Sequence, residues 1–347
     1  MAKPRVTVIV ATYNRVPALI AALASVRQQT MPEWECLVVG DCCTPETGEA
    51  VAALGDPRMR FINLPERCFE QALPNSVGMA LAQGEYLAFL NHDDFWLPDH
   101  LERAVAALVQ HDADLFIGTA AFAMNPKFRD LDFTITEITP AFRTLREAFV
   151  RPFYYLEPIS SWIVRRCAAD LVGPMTPASA CYRTPVEDWA MRAWRSGIKV
   201  VASDEITVVK DNTMPPKDSD GGTYSFAKSA LAPLLELSAL VSPDDLRTQL
   251  RSKHCNAVAA GHNPRDFLTP VFPPPPDMFK RLVTAEAATQ FLETGEDAFA
   301  ELCIACGFGK GLRARVAVKK RVGQLFTVQP QLDTLLLAAR EQLASLA

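Results

Sequence analysis

Residues 85–94 read Glu85-Tyr86-Leu87-Ala88-Phe89-Leu90-Asn91-His92-Asp93-Asp94. Tyr86 to Leu90 is apolar on both faces, as expected of a strand buried inside a parallel sheet. Two adjacent carboxylates then arrive where the strand stops, and open α/β sheets bind their ligands at that edge. Side by side, Asp93 and Asp94 repel each other, and a divalent cation is the usual relief. The stretch points to a metal-assisted enzyme acting on a nucleotide-linked substrate.

The segments before it alternate strand and helix. Arg5 to Ala11 is β-branched and reads as a central strand, and Pro17 to Gln29 reads as a helix with Leu19, Leu23 and Val26 on one stripe. Glu35 to Val39 is a second strand, and Thr44 can cap a helix running to about Leu54. Met59 to Leu64 is a third strand, and a helix from about Glu70 to Ala82 meets a stop signal at Gly84. After the acidic cluster a helix begins near Pro98, and Asp114 to Thr119 is a fifth strand. Regular βα alternation predicts a mostly parallel sheet with helices on both faces. Beyond Asn125 the pattern loosens. Leu156 to Arg165 reads as extended, Pro185 to Ser196 as a helix, and Lys199 to Ala202 and Ile206 to Val209 as short strands. Asp211 to Tyr224 holds two prolines and two glycines among polar residues and reads as a mobile loop and a boundary. Residues 1–214 then form one domain and 215–347 a mainly helical appendage, interrupted by a stiff Pro-rich connector at 270–276. The final helix, about Gln331 to Leu346, puts Leu332, Leu335, Leu336, Ala339, Leu343 and Leu346 on one face.

Bulk properties exclude several classes. A net charge of -5 over 347 residues implies no general affinity for nucleic acid. No apolar run approaches the roughly 20 residues that span a bilayer. Nine scattered cysteines with no secretory leader before them predict free thiols in a reducing, cytoplasmic compartment. Cys303-Ile304-Ala305-Cys306 lacks two further ligands for zinc. From Leu302 to Leu332 there are six basic residues and no acid, and 310–321 could touch an anionic membrane or simply be a solvated helix face.

Four further constellations bear on chemistry. The turn Ala11-Thr12-Tyr13-Asn14-Arg15 can expose backbone amides and a ring that packs on a nucleobase, or be an ordinary βα turn. Asp41 follows the second strand, where it can accept from a base or ribose or cap a helix. Leu73 to Gly78, in the helix expected from about Glu70, could position the metal site or be part of a plain capped helix. Glu187 and Asp188 follow Pro185, where a carboxylate can take a proton from an attacking hydroxyl, or where the pair can simply favour a helix start.

Together these pieces resemble family 2 glycosyltransferases of the GT-A, Rossmann-like fold, over about Arg5 to Val209. The matching residues are Thr12-Tyr13-Asn14, Val38-Val39-Gly40-Asp41-Cys42-Cys43-Thr44, Asn75 with Gly78, Gly84-Glu85-Tyr86, Leu90-Asn91-His92-Asp93-Asp94 with Trp96-Leu97-Pro98, and Glu187-Asp188. The resemblance implies that Thr12, Tyr13 and Asp41, with Asn14 and Asn75 nearby, hold the nucleoside, commonly uridine. It implies that Asp93 is the main ligand of Mn²⁺ or Mg²⁺, with His92 and Asp94 near ribose and diphosphate. Asp188, beside Glu187, would deprotonate the acceptor hydroxyl in a single inverting displacement. The acceptor would be a glycan or a lipid-linked sugar, in glycan or cell-surface polysaccharide biosynthesis; peripheral membrane contact through 310–321, if the basic run is more than a solvated face, would suit a lipid-linked acceptor. Asn91 departs from the usual first Asp of the metal motif, and no His follows the last strand, where Lys210 could contact diphosphate instead. Those departures also suit a nucleotide-sugar-binding scaffold with little turnover. A sugar nucleotidyltransferase is the third class, but it would ordinarily show a glycine-rich basic loop after the first strand, and 12–17 is not one.

Overall fold

The computed structural model describes residues 3–124, 133–139, 158–213, 231–261, 285–311 and 329–346. The expected alternation opens the chain: β1 (Val6–Thr12), α1 (Val16–Arg27), β2 (Trp34–Gly40), α2 (Pro45–Ala52), β3 (Met59–Asn63), α3 (Ala72–Leu81) and β4 (Tyr86–Phe89). There follow β5 (Asp94–Trp96), α4 (His100–Gln110), β6 (Leu115–Met124), β7 (Thr134–Ile138), β8 (Trp162–Arg165), α5 (Arg166–Val172), α6 (Pro185–Arg195) and β9 (Val200–Asp211). The C-terminal part adds α7 (Ala232–Ser238), α8 (Pro243–Ala259), α9 (Ala285–Thr294), α10 (Ala298–Ala305) and α11 (Leu332–Leu346).

Among the described residues the strands form one sheet in the order β3-β2-β1-β4-β8-β6-β9-β5, with β7 paired to β6. Its first half is parallel throughout, because each crossover there is a helix. The second half is mixed: β8 runs antiparallel to β4 and β6, and β5 antiparallel to β9. The two short strands expected near 199–209 are one strand, bent where its register against β6 shifts between Ile117 and Ala120. Neither β5 nor β7 was expected. β5 has only three residues and starts on an Asp, and β7 lies in the irregular stretch after Asn125.

Apolar helix stripes cover both faces. Leu19, Leu23 and Val26 of α1 join Leu101 and Leu108 of α4 against Val8, Val10 and Phe116. On the other face Trp189 of α6 and Trp162 pack with Ile9, Leu87 and Phe89. α3 ends at Leu81, and Gly84 has a different duty from the expected helix stop. A side chain on Gly84 would stand 2.5 Å from the Thr7 backbone nitrogen, so this glycine lets the chain pass against β1 as it enters β4.

The C-terminal helices grip this sheet. The predicted apolar face of α11 lands on β2, β3 and α3, where Leu335 and Ala339 are fully buried with Leu37, Val39, Ile62, Leu73 and Val77. Gln342 of α11 exchanges hydrogen bonds with the Asn63 backbone at 2.9 and 2.7 Å, which covers the edge of β3. Arg247 of α8 donates to Asp99 at 2.5 Å and to the Ile206 carbonyl at 2.8 Å. The Pro-rich connector 270–276, most of the loop 211–224, and the basic run from 312 to 321 lie outside the described residues. Among the described residues no helix is long and apolar enough to cross a membrane.

Leu335→Ala should cost about 2–5 kcal/mol of stability, read as a lower denaturation midpoint, because it opens a cavity under α11. His100 is fully buried against Trp96, with ring centroids 4.5 Å apart, and neither ring nitrogen has a partner among the described residues. Burial pushes its imidazole down to about 3. The unfolded chain, with an ordinary value of about 6.5, binds a proton there that the folded chain refuses. Stability should therefore fall as pH drops from about 6.5 toward 3, and His100→Phe should flatten that part of a pH–melting curve.

Candidate active site

The alternation of β5 turns Asp94 inward, and only 1% of it is exposed. Its carboxylate accepts from Ser160 Oγ at 2.5 Å and Asn91 Nδ2 at 2.9 Å, and Lys210 Nζ stands 3.4 Å away across the β5–β9 pair. Burial pushes the Asp94 carboxyl up, and Lys210 offsets part of that. Asp93 points the other way, to Arg15 Nη1 at 2.6 Å. Burial works against its charge, but His92, Lys210 and Arg15 more than reverse this and hold it well below the ordinary carboxylate range. The repulsion between the two acids is thus already relieved by two side-chain cations. His92 is pushed down by burial, and its Nδ1 lies 3.3 Å from the Ala11 carbonyl. Donation to that carbonyl leaves the lone pair on Nε2, which is buried with no partner among the described residues. Asp211, at the end of β9, is pushed up to about 6 by burial, with the charge of Asp93 adding to it.

The nucleoside-side residues lie at the ends of β1 and β2. Thr12 is buried, and its hydroxyl has no partner among the described residues. Asn14 takes a left-handed backbone, with φ of 53°, and its Oδ1 accepts from the Thr44 amide at 2.9 Å. Asp41 is occupied by the loop after β3: it accepts from the amides of Cys68 at 2.5 Å and Phe69 at 3.0 Å, and from Arg67 Nε at 3.2 Å. Arg67 also stacks on Tyr13, 3.4 Å from the centroid of the ring that was expected to pack on a nucleobase. Glu70 is pushed up to about 7 by burial and accepts from the Ala72 amide and from Gln329. Gln329 also donates to the Cys68 carbonyl at 2.8 Å and accepts from the Ser179 amide at 2.9 Å.

On the acceptor side Thr184 and Glu187 form a reciprocal capping box, so Glu187 is turned back onto the helix start. Asp188 faces elsewhere. Its Oδ2 accepts from Thr176 Oγ1 at 2.7 Å and Arg192 Nε at 3.0 Å, and its side chain is 30% exposed. Asn75 sits in the core, where its Nδ2 lies 3.9 Å from Met175 Sδ. The fold thus gathers His92, Asp93, Asp94 and Lys210 at one edge and Thr12, Tyr13, Asn14 and Asp41 beside it, while Asn75 packs behind them. Sequence reasoning missed Arg15, Arg67, Ser160, Thr176, Asp211 and Gln329. Arg15 and Asp211 adjoin residues it singled out; the other four meet their partners only through the fold.

Among the described residues no three His, Cys, Asp or Glu side chains gather as a ready metal cage. Asp93 is the acid of the cluster that is not shut into the core, and hard cations such as Mg²⁺ commonly take one or two carboxylates plus substrate phosphates. The donor set therefore fits an ion that shares its coordination with a diphosphate rather than one held by protein alone.

The curled mixed sheet, its helices and the acidic strand end define a GT-A type protein. Residues 7–154, a stretch shorter than half of the chain, match the family model "Glycosyl transferase family 2". It is 36% identical over 102 residues to the succinoglycan biosynthesis protein ExoO of Rhizobium meliloti, which is 29% of each chain. It is 27% identical over 120 residues to the Escherichia coli UDP-Glc:alpha-D-GlcNAc-diphosphoundecaprenol beta-1,3-glucosyltransferase WfgD, covering 35% of this chain and 47% of that one. The aligned region thus spans less than half the length of either relative. The structure of S. aureus TarS 1-349 in complex with UDP-GlcNAc superposes with a TM-score of 0.51 at 16% identity, over 88% of this chain and 92% of that one.

Asn91 is tied into the acidic cluster by its side chain. Its amide donates to buried Asp94, so Asn91→Asp would remove a donor and set a third carboxylate against the cluster. That variant should lose about 1–3 kcal/mol of stability in thermal melts, and should not gain tighter Mn²⁺ binding in titrations.

Proposed function

We propose that the chain is an inverting glycosyltransferase that moves a sugar from a UDP-linked donor to a hydroxyl of a glycan or lipid-linked acceptor in polysaccharide biosynthesis. The observation that carries this reading is the cluster of Arg15, Asp93, Asp94 and Lys210 at the carboxyl edge, the first three within the stretch that matches the family 2 model. The UDP donor and lipid-linked acceptor of WfgD, and the UDP-GlcNAc bound by TarS, support the donor and acceptor classes. Free thiols at all nine cysteines fit a cytoplasmic site of action.

In this reading residues 1–214 supply the chemistry and 215–347 brace it. Thr12, whose buried hydroxyl lacks a partner among the described residues, meets the nucleoside together with Tyr13 and Asp41, and Asn14 holds the turn. Arg67 must leave the Tyr13 ring or accept the base on its own face. Lys210, with His92 beside it, faces the diphosphate. A Mn²⁺ or Mg²⁺ held by Asp93 and the donor's phosphates would neutralise charge on the departing diphosphate. Asp188 accepts the proton of the acceptor hydroxyl through Oδ1, since Thr176 and Arg192 both bind Oδ2. The acceptor oxygen bonds to the anomeric carbon as its bond to the diphosphate breaks, through an oxocarbenium-like transition state.

Asp188→Asn should lower kcat for transfer by about 10²–10⁴-fold while leaving UDP affinity within a few-fold of wild type. Transfer to a lipid-diphosphate-linked sugar, followed with radiolabelled UDP-sugars, checks this. Equal rates in wild type, Asp188→Asn and Asp93→Ala would instead mark a nucleotide-sugar-binding scaffold.

A further inference from the structure

We propose that Arg15 binds the donor's diphosphate and, before the donor arrives, keeps a free divalent cation off Asp93. This rests on the donor reading above. Arg15 follows the turn after β1, stands at the position before α1 with no side-chain bond to the helix start, and is only 5% exposed. Its Nη1 lies 2.6 Å from Asp93 Oδ2, so a full positive charge already stands at the carboxylate expected to hold the ion. A cation arriving alone meets that charge at close range in a site shielded from water, where screening is weak.

The charge balance of the edge explains how the donor changes this. Among the described residues Arg15 acts on Asp93 and Asp211, and Lys210 on Asp93 and Asp94, so three carboxylates stand against two side-chain cations. A diphosphate adds negative charge and draws on both cations, and a divalent ion then restores the balance. A guanidinium can serve carboxylate and phosphate together, because its planar fork offers five N–H donors. The ion therefore enters with the donor, and part of the leaving group's charge is carried by the protein's own side chains. Asn91 fits the same design: its amide is spent on Asp94, so the protein does not add a third acid for a resident metal.

The test uses the full chain, with UDP and Mn²⁺ as separate probes. Wild type should bind UDP in EDTA by calorimetric titration and should bind Mn²⁺ alone only weakly, read as free Mn²⁺ by electron paramagnetic resonance. Arg15→Met should weaken metal-free UDP binding by roughly ten-fold or more, as expected for loss of a hydrogen bond to a charged group. It should also tighten Mn²⁺ binding in the absence of UDP. Arg15→Lys keeps the charge and should retain the weak Mn²⁺ binding, which gives a second comparison if the Met variant melts. Wild-type values for both probes in Arg15→Met, or Mn²⁺ binding to Arg15→Lys as tight as to Arg15→Met, would overturn the proposal. Failure of wild type to bind UDP with or without Mn²⁺ would overturn the donor reading and the diphosphate role. The Mn²⁺-alone comparison would still decide whether Arg15 guards Asp93.

Discussion

Asp94 gives up nearly all contact with water, and the geometry of the sheet edge follows from how that loss is offset. A buried carboxylate is tolerated only when its lone pairs are met and its charge is opposed. Here the partners come from three places: Asn91 beside it, Ser160 from the turn before β8, and Lys210 from β9, which pairs with β5. Those partners belong to both halves of the sheet. Satisfying one acid therefore ties the parallel β1–β4 unit to the mixed β8-β6-β9 unit. Ser160 is fastened further, since its carbonyl accepts from Trp96 Nε1 at 2.7 Å and its hydroxyl accepts from the Asn91 amide at 3.0 Å. With Asp94 locked inward, the backbone leaves Asp93 on the opposite side, facing Arg15.

The nucleoside side is built on a second carboxylate. Asp41 collects two amides and a guanidinium from the 67–69 loop, and Phe69 accepts a left-handed backbone, with φ of 63°, to make this possible. The same loop is held from behind by Gln329, which also reaches Ser179 in the segment leading to α6. One C-terminal side chain thus joins the loop around Asp41 to the segment whose Thr176 holds Asp188. The C-terminal helices brace the edge rather than trail from it, as Arg247 and Gln342 show on their own sides.

Much of the fold was legible because it is local. The run from β1 to β4 could be read from alternating apolar periods and turn residues, and the face of α11 from its leucine spacing. The second half of the sheet was harder. β5 is three residues long and owes its existence to the partner β9 supplies. The bend in β9 at 203–205 is a register shift that no period of side chains records. In the site, Asp93 stood out because two adjacent acids at a strand end repel each other; Asp41 and Asp188 drew their roles from the resemblance, since an acid at a helix start is ordinarily favourable. Their partners did not stand out: Ser160, Thr176 and Gln329 are ordinary small or polar residues, distant in sequence from what they hold. The expectation that paired acids call for a metal did not weigh the cations that the fold sets against them, Arg15 from the start of α1 and Lys210 from β9.

Glu187 and Asp188 show why neighbouring acids need not share a task. On a helix, successive side chains point about 100° apart, so the two cannot face the same ligand. Glu187, at the third position, reaches back to the Thr184 amide and hydroxyl, both at 2.9 Å, and closes the first turn. Asp188 then lies one position on, over Arg192 four residues ahead and against Thr176 from the preceding segment. The cap sets the rotation of the first turn, and that rotation aims Asp188. A longer or shorter side chain at 187 would disturb the cap first and the direction of Asp188 second. The pair is therefore one device, in which one carboxylate orders the helix and its neighbour is presented by that order.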